Sequence, residues 1–201
     1  MRFLLGVDEA GRGPLAGPVA VGVVMVPEGF DVLREFPGVN DSKKLSEKRR
    51  EAIFAMLEAR VAEGDIQFRV AFESAEVIDK EGIVPAIRTA LARGLESLIP
   101  RSSTSESSLK SNFNIQLDGA LRAPDIYQQE TIQGGDATVP LISLASIAAK
   151  VLRDRLMVQL ATEHPQYAFE KHKGYGTALH YSRIREHGLC PLHRRSFLKN
   201  L

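Results

Sequence analysis

The chain has no tryptophan and only one cysteine, Cys190, among its 201 residues. A single thiol excludes an internal disulfide and any zinc site built on paired thiolates, and it fits a reducing cytoplasm. No apolar run approaches the roughly 20 residues that cross a bilayer, so no membrane partner is expected. The apolar start at Phe3 meets Asp8 and Glu9 too early for a secretory leader. Net charge is nearly absent as well, at +1 near neutral pH, but its distribution is uneven. Seven Lys or Arg against one acid leave Lys171–Leu201 at +6, and the remaining chain stands at −5. A basic end on an otherwise acidic protein points to a polyanion partner. The length suits one domain, residues 1–201, with about 165–201 as its basic, helical C-terminal portion.

What is present is concentrated near the start, in Gly6-Val7-Asp8-Glu9-Ala10-Gly11-Arg12-Gly13. An apolar stretch delivers two adjacent carboxylates where a buried strand stops, and such oxygens suit a hard divalent cation. A glycine-flanked arginine beside them lets backbone approach a phosphate or sugar closely. Metal next to phosphate is the chemistry of phosphodiester hydrolysis. Strand neighbours face opposite sides, so Asp8 and Glu9 share one metal only if the pleat breaks near Glu9, where the Gly11-Arg12-Gly13 turn begins. Asp118 before Gly119 and Asp136 after Gly135 read, taken alone, as turn residues. Asp154 is a further acid to weigh, although its helical run of Lys150 to Arg155 offers it basic neighbours.

Along the chain, Phe3 to Val7, Val19 to Val26 and Ile66 to Phe72 have strand character. Ser46 caps a helix through Arg60, with Ile53, Met56, Leu57 and Val61 at helical spacing. Helices follow from about Ser74 to Asp79 and from about Ile83 to Leu98. In the longer one, Ile83, Ala86, Ile87, Ala90, Leu91 and Leu95 form one stripe. The Ser-rich Arg101–Asn112 stretch reads as an exposed loop. Phe113 to Leu117 is a strand ending at Asp118, and Thr131 to Gly135 is a short extended piece. Pro140 opens a long helix to about Glu163, with Ile142, Ala145, Ala149, Leu152, Leu156 and Leu160 on its buried side. A last helix spans Ala178 to His187. The pattern gives a mixed α/β sheet without fixing its topology.

The Gly6–Val19 run resembles the signature of the ribonuclease HII family. Asn40-Asp41-Ser42-Lys43-Lys44-Leu45-Ser46, Leu117-Asp118-Gly119, Gly135-Asp136, Ser146 to Asp154, His172 to Thr177 and His193 to Phe197 follow in that family's order and span almost the whole chain. The resemblance implies a ribonuclease H-like fold, a five-stranded mixed sheet flanked by helices with a helical C-terminal portion. It implies that Asp8, Glu9, Asp118 and Asp136 are the catalytic, metal-binding acids, and it selects Asp136 over Asp154. The implied cofactor is Mg²⁺ or Mn²⁺, acting as a pair of ions in hydrolysis.

The implied substrates are RNA–DNA hybrids and DNA duplexes containing ribonucleotides, cut to leave a 3′ hydroxyl and a 5′ phosphate. In this family Gly11, Arg12 and Gly13 would read the ribose, and Tyr175 would pack on the deoxyribose that follows. Ser42, Lys43, Lys44, Arg194 and Arg195 are candidate substrate contacts, with Lys150 as a further one. Gly134 stands where the family usually carries a basic residue. The related ribonuclease HIII family has a lysine in the glycine turn and an added N-terminal domain, so Arg12 and a first strand at Phe3 favour HII. The C-terminal Phe197-Leu198-Lys199-Asn200-Leu201 shows no sliding-clamp peptide, and nothing requires more than a monomer. The competing function class is a noncatalytic nucleic-acid-binding module, which would tolerate a chelator.

Overall fold

The computed structural model describes residues 2–99 and 105–199. Its centre is a five-stranded sheet of β1 (Phe3–Ala10), β2 (Val19–Pro27), β3 (Gln67–Glu73), β4 (Phe113–Asp118) and β5 (Gln128–Ile132). The strand order is β3-β2-β1-β4-β5. β1, β2 and β3 pair antiparallel, whereas β1, β4 and β5 run parallel. The expected mixed sheet is therefore present, and parallel pairing brings the C-terminal ends of β1 and β4 side by side.

The helices are α1 (Val32–Glu35), α2 (Glu47–Glu63), α3 (Ala75–Glu81), α4 (Ile83–Leu98), α5 (Glu106–Asn112), α6 (Gly135–Thr138), α7 (Pro140–Glu163), α8 (Phe169–His172) and α9 (Ala178–His187). Ser46 and Ser74 cap α2 and α3 by accepting the N–H of Arg49 and Val77. One face of the sheet buries Leu5, Val7, Val21 and Val23 against Ala90, Leu91 and Leu95 of α4. The other buries Val24 and Val26 against α2 and α7 through Ile53, Phe54, Leu57, Leu144 and Ile147. No helix among the described residues is long and apolar enough to cross a membrane.

Two glycines set how closely α7 lies on the sheet. A Cβ on Gly6 of β1 would overlap the Leu141 carbonyl, and one on Gly22 of β2 would overlap the Ala145 carbonyl. Backbone-to-backbone packing of this kind has no slack for a methyl group. Gly22→Ala is expected to cost about 3 kcal/mol and lower Tm by roughly 8 °C; a thermal melt within 2 °C or so of wild type would contradict this packing.

Three expectations need correction. The Ser-rich stretch is helical over Glu106–Asn112, because Ser105 accepts the Ser108 N–H and Leu109 is buried against the core; residues 101–104 of that expected loop lie outside the described residues. The extended piece expected at Thr131 to Gly135 is instead strand over Gln128–Ile132, then a left-handed Gly134 and α6. Polar Gln128, Gln129 and Glu130 form an edge strand because β4 supplies backbone partners. In α7, Met157 and Arg153 are fully buried while Leu152, Leu156 and Leu160 are half-buried, so the buried stripe is turned from the one expected.

Candidate active site

Val7 pairs with Leu117 in the parallel β1–β4 register. Asp8 and Asp118 each come one residue later, so their side chains leave the same face at the same level. That face carries α7, and Asp8 is only 4% exposed beneath it. Gly134, at φ +64°, turns the chain from β5 into α6 and brings Asp136 to this point. The Asp136 N–H donates to Asp118 Oδ1 at 3.2 Å. Gly135 packs closely here: a Cβ would lie 2.6 Å from Ile142 Cδ1, so that methyl group would have to shift. Asp8, Asp118 and Asp136 thus offer carboxylate oxygens within 4.8 Å of one another, the metal-competent acidic group found among the described residues.

Glu9 is not part of that group. The strand stays regular through Ala10, with Glu9 opposite Val21 and Ala10 opposite Ala20. The pleat break considered for Glu9 is absent, and its side chain faces away from Asp8. Glu9 accepts a hydrogen bond from Arg12 at 3.2 Å and lines the same pocket as Asp8 and Asp118. Asp154 stands apart, paired with Lys150 at 2.8 Å.

Burial pushes the Asp8 carboxyl up to about 7, opposed by a Ser146 hydrogen bond and helped by the charges of Glu9 and Asp118. The Glu9 N–H donates to Asp8 Oδ1 at 2.7 Å. Lys43 Nζ donates to Asp136 Oδ2 at 2.7 Å, and that bond raises the lysine's affinity for its proton. A crowded, hard-oxygen set held against its own repulsion fits a divalent cation, which removes the repulsion. A sign follows for stability. Below about pH 4 Asp8 is protonated folded or unfolded and costs nothing. Stability falls as pH rises from about 4, where the unfolded chain ionises first, and the loss is complete above about 7, where the buried group ionises too. Asp8→Asn is therefore expected to raise the Tm of metal-free protein at pH 8 by roughly 5 °C, with the gain gone by pH 4. A lower Tm for the variant at pH 8 would contradict the cost of ionising the buried Asp8 carboxyl.

Asp8, Glu9 and Asp118 line a pocket of about 310 Å³ together with Gly11, Arg12, Gly13, Ser42, Lys43, Ser146, Lys150 and Tyr175. Ser42 is buried, its hydroxyl 2.8 Å from that of Ser146. Tyr175 is 39% exposed, with Lys150 Nζ 5.3 Å from its ring centre. Lys44 is exposed and 3.9 Å from Asp41. Arg195 is exposed, its backbone N–H held by Asp79 at 2.8 Å. Neither lines the pocket.

Arg194 corrects the expectation of a substrate contact. It is fully buried, and its guanidinium donates to the carbonyls of Gly11, Arg12 and Gly17 at 2.7, 3.0 and 3.0 Å. Arg153, equally buried, donates to those of Pro18, Lys173 and Ala16. Beneath the Tyr175 loop lie His172, His180 and His193; burial pushes His180 and His193 down to about 4. His180 Nδ1 is 3.0 Å from the Tyr175 carbonyl. The sequence signal for Arg153 was an arginine four residues from both Ala149 and Met157 on an apolar helix face.

The family model for ribonuclease HII matches residues 5–200. Ribonuclease HII of Polaromonas sp. (strain JS666 / ATCC BAA-500) is 44% identical over 195 residues, covering 97% of this chain and 89% of its own. The crystal structure of ribonuclease H2 from Pyrococcus horikoshii OT3 is similar with a TM-score of 0.68 at 26% identity, covering 96% of this chain and 93% of that one. The structure of the PCNA:RNase HII complex from Archaeoglobus fulgidus gives 0.74 at 24% identity, with the same coverage, and speaks to the fold alone. With motifs, sheet order and near-complete sequence coverage in agreement, the chain belongs to the ribonuclease HII family of metal-dependent ribonuclease H enzymes.

Proposed function

We propose that the protein cuts the RNA strand of RNA–DNA hybrids and nicks duplex DNA 5′ of embedded ribonucleotides, leaving 3′-hydroxyl and 5′-phosphate ends. Its cellular work on this reading is ribonucleotide excision repair and RNA primer removal, performed in the cytoplasm by a monomer. The observation that carries the reading is the meeting of Asp8, Asp118 and Asp136 beside the Gly11–Gly13 turn. A pair of Mg²⁺ or Mn²⁺ ions bound there would supply an activated water and charge neutralisation at the leaving 3′ oxygen.

The remaining chemistry belongs to the chain. Asp8, Asp118 and Asp136 are the proposed ligands, and Glu9 on the pocket's lip completes the acidic set. Ser146 orients Asp8, and Lys43 neutralises Asp136 until a phosphate competes for its ammonium. Gly11, Arg12 and Gly13 would meet the ribose, whose 2′-hydroxyl distinguishes it from deoxyribose. Tyr175 offers an exposed ring face to the next sugar. Ser42 and Lys150 border the scissile phosphate, while the exposed Lys44 and Arg195 serve phosphates farther along the duplex.

A binding module without catalysis has no use for three carboxylates gathered within 4.8 Å, which repel phosphate unless cations intervene. The test is incubation with duplexes holding one, four or no ribonucleotides, in Mg²⁺, Mn²⁺ or chelator, with the nick mapped. Cleavage 5′ of the ribonucleotide that stops in chelator supports the proposal; intact duplex in every metal overturns it.

A further inference from the structure

The Gly11–Gly13 turn owes its shape to Arg194. Its guanidinium spends three N–H groups on the carbonyls of Gly11, Arg12 and Gly17. In a trans peptide the carbonyl and the following N–H point to opposite sides, and this chain has no cis peptide bond. Pulling the Gly11 and Arg12 carbonyls inward therefore turns the N–H groups of Arg12 and Gly13 outward, on the side where the pocket is lined by this turn. Neither N–H has a partner among the described residues.

Arg153 braces the same assembly from below. It lies directly under Gly11, where a Cβ would overlap its guanidinium, and it ties Ala16 and Pro18 to the Lys173 carbonyl of the Tyr175 loop. The Leu15 N–H closes the tie by donating to the Gly174 carbonyl at 2.8 Å. Among the described residues neither buried guanidinium forms an ion pair; all six hydrogen bonds go to backbone carbonyls. A planar guanidinium holds its several donors in a fixed, wide fork, which a lysine's compact ammonium does not reproduce.

We propose that Arg194, braced by Arg153, is a positioning residue for sugar selection: it presets the Arg12 and Gly13 N–H groups, and through the Tyr175 loop the adjoining sugar platform, before substrate arrives. This rests on the proposed reading of ribose by the turn. Gly13→Ala tests that reading by itself, because a Cβ there meets nothing in the protein.

The experiment compares Arg194→Lys with wild type on a duplex carrying one ribonucleotide, with all-DNA duplex as an uncut competitor. The lysine keeps the charge and loses the fork. Expected is a fall in kcat/KM of about 10-fold or more, carried by kcat. The competitor's Ki should stay within about 2-fold, since phosphate contacts dominate that affinity. A folded Arg194→Lys with unchanged kcat, or a Ki that rises in step with KM, overturns the inference. If Gly13→Ala is harmless, the ribose reading fails instead. Should Arg194→Lys not fold, backbone ¹⁵N relaxation on wild type decides: Arg12 and Gly13 amides as rigid as those of β1 support the clamp, and a mobile turn overturns it.

Discussion

Asp8→Asn is expected to lower strand cleavage by about 10³-fold or more, the scale of losing metal-borne charge stabilisation. Duplex affinity should stay within about 3-fold of wild type, because most of it comes from phosphate contacts elsewhere. The substitution keeps the size of the side chain and its acceptor for the Glu9 N–H. What it removes is one of three carboxylates gathered within 4.8 Å. The same change should stabilise the metal-free protein at alkaline pH, so lost activity together with a raised Tm excludes misfolding as the cause. Steady-state cleavage, competition binding and a melt on one preparation check all three. Normal turnover by the variant would remove Asp8 from the chemistry.

The second large effect separates two glycines of the same turn. Gly11 sits at φ +87° with Arg153 directly below it, whereas Gly13 has open space where a Cβ would go. Gly11→Ala is expected to destabilise by about 4 kcal/mol, from backbone strain and displacement of a buried guanidinium. Gly13→Ala should change stability by no more than about 0.5 kcal/mol. It should nonetheless cut single-ribonucleotide cleavage about 100-fold, since the methyl group holds the sugar off the turn. Urea melts and nicking assays on the two variants check this; equal stability losses would mean the turn is not held as described.

Much of this was legible in the sequence where local chemistry and tertiary packing agree. The α4 and α7 boundaries follow from Gly82, Pro140 and long helical stripes. Asp8 and Asp118 were legible because each directly follows apolar residues, Phe3–Val7 for the one and Ile115 and Leu117 for the other. β5 was not, because an edge strand of Gln128, Gln129 and Glu130 exists through its partner rather than its own pattern. Nor was α5, whose serines suit a cap at Ser105 but give no apolar stripe beyond Leu109. Glu9 depended on whether the strand bent after Asp8, which its pairing with Val21 decided. Arg194 was misjudged because an arginine in a basic tail reads as surface. Its burial depends on carbonyls 177 to 183 positions away in the chain.

The proposed mechanism requires Asp8, Asp118 and Asp136 to hold a divalent cation together. Mn²⁺ titrated into the protein, with the free-ion electron paramagnetic resonance signal followed, reads that binding without a substrate. Saturable binding that is lost in Asp8→Asn and in Asp136→Asn, yet kept in Asp154→Asn, is the predicted result. Binding that survives both of the first two substitutions, or disappears with Asp154→Asn, would contradict it.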